Sequence, residues 1–414
     1  MKHLKTLTFL LLNYGLCSFS LANTNINLGS HSLFYANVPP VCITVIANDQ
    51  EATSMIQNAL NRCPANYAVK ISPAITSNSI YTGPIFIPSS RYLWIDKNVT
   101  VKPIQNLALF NKDQETCGSI TSTAKKTCHA IFNLKNTKNN GIIGEGVIYG
   151  NGDESYQSNR RTAWEVNQKA TAQKRYVDFP NLIDVENSTN ALIQGLNLTQ
   201  SADTHIEVNK SANIRIKDIT IQTFTSLNRT NGISITASHH INANNLNIRT
   251  GGAHVLVTTT LPHEKTEYIE LKNLKLYEGR GLLFAPNYLG SIAHVLVEQA
   301  NFHKATNGVW LVSNMKMGGK FSDFQINHTL FNETTHAIRI DTSFGNNPKG
   351  TTEPDIQNIS FNHFTIYGLT NLIYNGINAI KPPTIYMSDG EIIGPYKTIR
   401  QKIHLKETNV TYRR

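Results

Sequence analysis

Apolar residues recur along this chain as a quartet at positions i, i+2, i+5 and i+7. The quartet appears as Ala191/Ile193/Leu196/Leu198, Ile214/Ile216/Ile219/Ile221 and Ile241/Ala243/Leu246/Ile248. It returns as Ile269/Leu271/Leu274/Leu276 and Val295/Val297/Ala300/Phe302. Looser versions follow at Phe324/Ile326/Thr329/Phe331 and Ile359/Phe361/Phe364/Ile366. Start-to-start separations run from 23 residues (191 to 214) to 35 residues (324 to 359). A repeat of this length predicts a solenoid, in which each turn buries its apolar face against its neighbours. A further short strand follows each quartet. Its alternation places Ile206/Val208, Ile233/Ile235, Val255/Val257, Leu282/Phe284, Val309/Leu311 and Ile338/Ile340 inward. The intervening residues are then expected on one outer face: His205, Glu207, Ser234, His254, Leu256, Leu283, Trp310, Val312, Arg339 and Asp341, with Asn231 and Arg280 at strand starts beside them. Such a row on successive coils offers a groove for a long polymer.

Helical spacing is read at Asp49 to Arg62, where Ala52, Met55, Ile56 and Leu60 share a face. Asp49 stands as a cap and Pro64 as a stop. A short helix of this kind plugs the open end of a solenoid. Short strands are expected within 84–108, and the coils mainly over 129–400. Asn-containing turns (Asn136 to Gly141, Asn244-Asn245, Asn346-Asn347) suit corners that need left-handed residues.

Residues 1–22 read as a secretory signal: Lys2 and Lys5, an apolar run from Thr6 to Leu12, and Ser20-Leu21-Ala22 for cleavage. The apolar run is too short to span a membrane, so the remainder, 23–414, is expected as a single exported domain acting as a monomer. Beyond Cys17 the cysteines are Cys42, Cys63, Cys117 and Cys128. An even number in an exported chain predicts two disulfides. Of three possible pairings the most local, Cys42–Cys63 with Cys117–Cys128, is preferred. No zinc spacing occurs, and no metal or cofactor is expected. The net charge of +10 falls to +8 without Lys2 and Lys5. A basic exported protein suits an acidic polysaccharide or a membrane surface, though the same charge also serves solubility alone. Scattered cations without a basic run argue against nucleic acid.

Six segments in order resemble glycoside hydrolase family 28, the polygalacturonases, in its bacterial form. They are Gly144-Glu-Gly-Val-Ile-Tyr-Gly-Asn-Gly152, Ala191-Leu-Ile-Gln-Gly-Leu-Asn-Leu198 with Ser201 and His205, Arg229-Thr-Asn-Gly-Ile233, Thr250-Gly-Gly-Ala-His-Val255, Gly279-Arg-Gly-Leu282 and Gly308-Val-Trp-Leu-Val312. The resemblance covers roughly 41–400. It implies an all-β, single-stranded right-handed parallel β-helix of the pectin-lyase-like kind, and inverting hydrolysis of galacturonan by one general acid and a pair of water-activating Asp residues. It places Asn231 at the Asp of the family's N-T-D, Gly252 and Ala253 at the two Asp of its G-D-D, Arg280 at the His of its G-H-G, and Trp310 and Val312 at the substrate-binding Arg and Lys of its R-I-K.

The expected role is therefore binding of a pectin-like or other acidic polysaccharide without hydrolysis, with no catalytic residue at the family positions. The substrate-binding candidates are His205, Glu207, Asn231, His254, Arg280, Trp310 and Arg339. Two alternatives stand beside it. One is an active hydrolase with relocated acids drawn from Glu207, Asp341, Asp203 and Glu278. Against it, Glu207 and Asp341 are about five coils, on the order of 24 Å, apart. The other is a protein-binding solenoid, favoured if Leu256, Leu283, Trp310 and Val312 form one continuous patch. Pectate lyases share the implied fold but need clustered Asp ligands for calcium, and none is read in this row.

Overall fold

The computed structural model describes residues 38–112, 116–156, 161–227, 229–345, 350–377 and 382–413. The expected signal at 1–22 and the Asn346-Asn347 turn lie outside these. The chain forms a right-handed parallel β-helix. Among the described residues, 11 strands stack into one face and 17 form the bent remainder of the wall.

The quartets are the inner lining of that bent wall. Ile214 pairs in register with Ile241, and successive coils continue with Ile269, Val295, Phe324, Ile359 and Ile385. All seven are at most 1% exposed. Burying each such side chain stabilises the fold by roughly 1.5–3 kcal/mol. Phe302 and Phe331 stack at 4.9 Å along the same interior.

The long strands turn corners at single left-handed residues. One corner carries Asn213, His240, Tyr268, His294, Asp323 and Asn358, with φ of 52–60°. Asn, Asp and His tolerate this region best, whereas Tyr268 is less at ease there. Its ring lies between His240 (4.7 Å) and His294 (4.6 Å), and that stacking offsets some of the backbone cost.

Helix α1, Thr53–Arg62, buries Ile56, Ala59 and Leu60 against the first coils. Its cap differs from expectation. The helix starts later than Asp49, which sits in a bend at φ 58°, and Glu51 Oε1 accepts from the Thr53 N–H at 2.7 Å instead. A second helix, α2 (Ala163–Ala172), was not expected. Thr162 and Glu165 form a reciprocal capping box at its start. The ladder also runs wider than 129–400, from Val41 to Arg413. Both disulfides take the local pairing, Cys42–Cys63 and Cys117–Cys128. Among the described residues no helix is long and apolar enough to cross a membrane.

Candidate functional site

The outer face of the 11-stranded sheet carries the residues singled out in the sequence. Its strands are inward at Ile206, Val208, Ile233, Ile235, Val255 and Val257, all fully buried. The outward row runs in direct register as Asn133, Asp184, Glu207, Ser234, Leu256, Leu283, Trp310 and Arg339. Glu207, Leu256, Leu283, Trp310 and Arg339 are half-buried, so each keeps part of its side chain open along this row, the floor of the sheet's outer face.

Two candidates do not reach this floor. His205 and His254 are fully buried. They precede their strands, where the side chain tucks beneath the neighbouring coil. The His205 ring nitrogens contact the Asn231 carbonyl (2.8 Å) and Thr223 Oγ1 (2.7 Å). His254 Nδ1 accepts from the Gly281 N–H at 3.1 Å, and its Nε2 contacts the Tyr277 carbonyl at 3.1 Å. Burial lowers both pKa values to about 4, so both rings are neutral braces between coils at ordinary pH. Val312 and Asp341 are also covered, at 5% and 6% exposure. Asp341 binds Arg339 at 3.1 Å and caps the Ser343 N–H. Glu278 pairs with Arg249 at 2.8 Å, away from the row.

The first coils hold a carboxylate cluster that the sequence reading did not assemble. Asn181 Nδ2 donates to Asp184 Oδ1 (2.8 Å) and to Glu207 Oε2 (2.7 Å). Lys126 Nζ pairs with Glu207 at 2.9 Å and lies 3.7 Å from Asp178. Asp178 accepts from the Thr127 and Cys128 N–H groups at 2.7 and 2.8 Å. Asp203, 6% exposed, completes the group. Burial, reinforced by Glu207, pushes Asp184 up to about 7 against the pull of Lys112 and Lys126. Burial likewise raises Asp203 to about 6, against Lys126 and Arg229. Glu207 goes the other way: burial opposes its charge, but Lys126 and Asn181 hold it below the usual range. Burial also opposes the Lys126 ammonium, and the surrounding carboxylates outweigh it. The Lys126 side chain is 49% exposed, so water screens part of that attraction. Only two of these acids were legible as candidates, Glu207 and Asp203. Asp184 shares Glu207's period-two position one coil earlier, a signal that extending the outward row by one coil would have found.

Three stacked turns meet beside the centre of the floor. Ala253 N–H donates to Asn231 Oδ1 at 2.9 Å, and Arg280 N–H donates to the Gly252 carbonyl at 2.9 Å. Gly252 fits closely in this turn: a Cβ there would lie 2.6 Å from Asn231 Oδ1, 2.8 Å from the Thr230 carbonyl oxygen and 2.9 Å from the Asn231 nitrogen. Ala253 is 2% exposed. Among the described residues the half-buried Arg280 guanidinium makes no side-chain hydrogen bond or ion pair. The corner therefore presents an amide, two groups without chemistry and one uncommitted cation.

At the far end Trp310 lies under the Arg339 guanidinium, 4.3 Å from ring centroid to carbon, with Phe344 edge-on at 5.7 Å. Trp310 Nε1 and Arg339 Nε have no hydrogen-bond partner among the described residues. The expected patch of four apolar residues is shortened to Leu256, Leu283 and Trp310, because Val312 is covered. Among the described residues no group of His, Cys, Asp and Glu is arranged to hold a metal ion.

A model of the Glycosyl hydrolases family 28 matches residues 85–408. The chain is 28% identical over 360 residues to an endo-polygalacturonase of Pectobacterium carotovorum subsp. carotovorum, covering 87% of this chain and 89% of that protein. It is 25% identical over 355 residues to a polygalacturonase of Ralstonia solanacearum, covering 77% and 66%. Its fold matches the solved polygalacturonase from Erwinia carotovora ssp. carotovora with a TM-score of 0.79 and 25% identity, over 93% of this chain and 100% of that one. An exopolygalacturonase from Thermotoga maritima shares the fold at a TM-score of 0.67 and 15% identity, over 91% and 93%.

Proposed function

Because the chain belongs to glycosyl hydrolases family 28, we propose that it holds an acidic polysaccharide of the galacturonan type along this floor without cutting it at the family's position. The reading is carried by the corner of Asn231, Gly252, Ala253 and Arg280. Inverting hydrolysis needs an acid that protonates the leaving oxygen and a carboxylate that activates water on the opposite face. An amide, a hydrogen and a methyl group supply neither. Proton transfer from a placed side chain is worth roughly 10²–10⁴-fold in rate, and at this corner no such group exists. What remains is an unpaired guanidinium, whose fork suits a sugar carboxylate, and the half-buried Trp310 indole, one face of which Arg339 covers. The Arg280 cation and the net basic charge favour a polyanion. The two disulfides fit export into an oxidising compartment, in line with the leader read at residues 1–22.

A second reading draws support from one geometry. Asp184 and Glu207 share a donor, so their facing oxygens lie no farther apart than the sum of two hydrogen bonds, and their pKa values are pushed in opposite directions. Paired carboxylates divided in this way are how acid and base roles are assigned. Glu207 is nonetheless engaged by Lys126 and Asn181, which favours a structural ion network. Reducing-end release from polygalacturonic acid separates the two. The binding reading expects no release by the wild type and saturable binding that Arg280→Ala weakens about tenfold, the loss of one charge-assisted contact. Turnover that disappears in Glu207→Gln would replace it with the relocated-acid reading.

A further inference from the structure

We propose that this floor selects a uronan whose carboxylates are partly methyl-esterified over the fully ionised polymer. The inference rests on the binding reading above and names the ligand class of the same site. It comes from the order of side chains that a polymer lying along the coil axis would meet.

Leu256, Leu283 and Trp310 occupy three successive floor positions in direct register and are half-buried, so their outer surfaces face the groove. Neither leucine can donate to a carboxylate. An ionised group laid over them would lose water without gaining a partner, and that is costly. A methyl ester at the same place is neutral and puts an apolar carbon on an apolar surface.

The neighbouring coils sharpen the preference. Toward the N-terminal end the floor becomes Glu207 and Asp184, backed by Asp203 and Asp178. Lys126 spans this cluster from within the loop closed by Cys117–Cys128. Glu207 and its acidic neighbours already engage that ammonium, so an anionic sugar meets little free positive charge there. Uncommitted positive charge stands at Arg280 beside the centre; a second guanidinium, Arg339 at the far end, is half-buried and paired with Asp341 through one of its terminal nitrogens. Arg339 is three coils from Leu256, on the order of 14 Å at one strand spacing per coil. The floor thus receives a few separated carboxylates with uncharged units between them. A polymer ionised at every unit would put charge over the leucines and beside the acids.

The test compares binding of polygalacturonic acid with binding of the same polymer methyl-esterified at about half its units, by titration calorimetry near 0.15 M salt, where surface charge is screened to roughly 8 Å. The wild type is expected to bind the esterified polymer at least tenfold more tightly. Leu283→Lys places a cation on the floor while its stem can lie along the same apolar surface, and it should lower that ratio at least tenfold. Leu283→Ala should weaken only the esterified polymer, by a few-fold, and it decides the matter if the lysine variant does not fold by circular dichroism. Equal or tighter binding of the de-esterified polymer by the wild type overturns this inference and leaves the binding reading standing. A ratio unmoved by either substitution also overturns it. Failure to bind either polymer overturns the binding reading itself.

Discussion

The two ends of the floor are built on identical backbone and carry opposite chemistry. At the N-terminal end, Asp184 and Glu207 occupy the same register positions that Trp310 and Arg339 occupy five coils later. The first pair is bound into a network of Asn181, Lys126 and backbone N–H groups. The second is a guanidinium resting on an indole, with polar atoms left over. Inward residues at both ends are interchangeable aliphatics and aromatics, so the fold places no demand on the outward ones. Groove chemistry can therefore change, or disappear, while the coil persists. The central corner shows the same freedom: Gly252 and Ala253 satisfy the turn and contribute nothing else.

The N-terminal network is the more structural end, and removing its anchor should have the largest effect. Asp178→Ala leaves the Thr127 and Cys128 N–H groups without their acceptor. Charged hydrogen bonds contribute roughly 1.5–3 kcal/mol each, so a loss of about 3 kcal/mol in urea unfolding is expected; a loss below about 1 kcal/mol would show the cluster to be incidental. The central corner comes next. Gly252→Asp forces a Cβ against backbone atoms and should cost about 2 kcal/mol. Combined with Asn231→Asp and Ala253→Asp it should still release no reducing ends, and measurable turnover in that triple variant would mean that the turn opens easily. At the far end, Trp310→Ala removes a half-exposed cation–π contact and should cost only about 0.5–1 kcal/mol, while weakening polymer binding. An effect on stability as large as that of Asp178→Ala would erase the distinction between the two ends.

The smallest signal is a pH slope, because its contributions oppose one another. Asp184 and Asp203 titrate at about 7 and 6 in the folded chain and near 4 when unfolded. Their stabilisation is complete at low pH and fades as pH rises through those folded values. His205 and His254 titrate at about 4 when folded and near 6.5 when unfolded. Theirs is complete above about 6.5 and fades as pH falls toward 4. Asp184→Asn removes one of the acid contributions, so stability of the variant should rise more steeply than wild type between pH 4 and 7. Parallel curves of urea midpoint against pH would count against the upward shift of Asp184.

Much of the coil could be read from the sequence, because inward positions obey a period that needs no knowledge of the partner coil. Ile206/Val208 and Ile338/Ile340 were placed correctly for that reason. The histidines were misplaced because alternation was extended one residue past the strand start, where the chain turns and the side chain drops inward. The carboxylate network escaped for a different reason. Lys126, Asp178 and Glu207 come from separate coils and a disulfide loop, and the contacts of Thr127 and Cys128 with Asp178 bridge 51 and 50 residues of sequence. Helix α2 carried a legible start signal in Thr162 and Glu165, but it interrupts the repeat instead of belonging to it.

A galacturonan held on this floor should be left whole. The most direct test incubates a galacturonate oligomer of defined length with excess wild-type protein, recovers the complex by size exclusion and weighs the sugar by mass spectrometry. The oligomer is expected to co-elute with the protein and to return at its starting mass after long incubation. Shorter oligomers in the recovered fraction would contradict it.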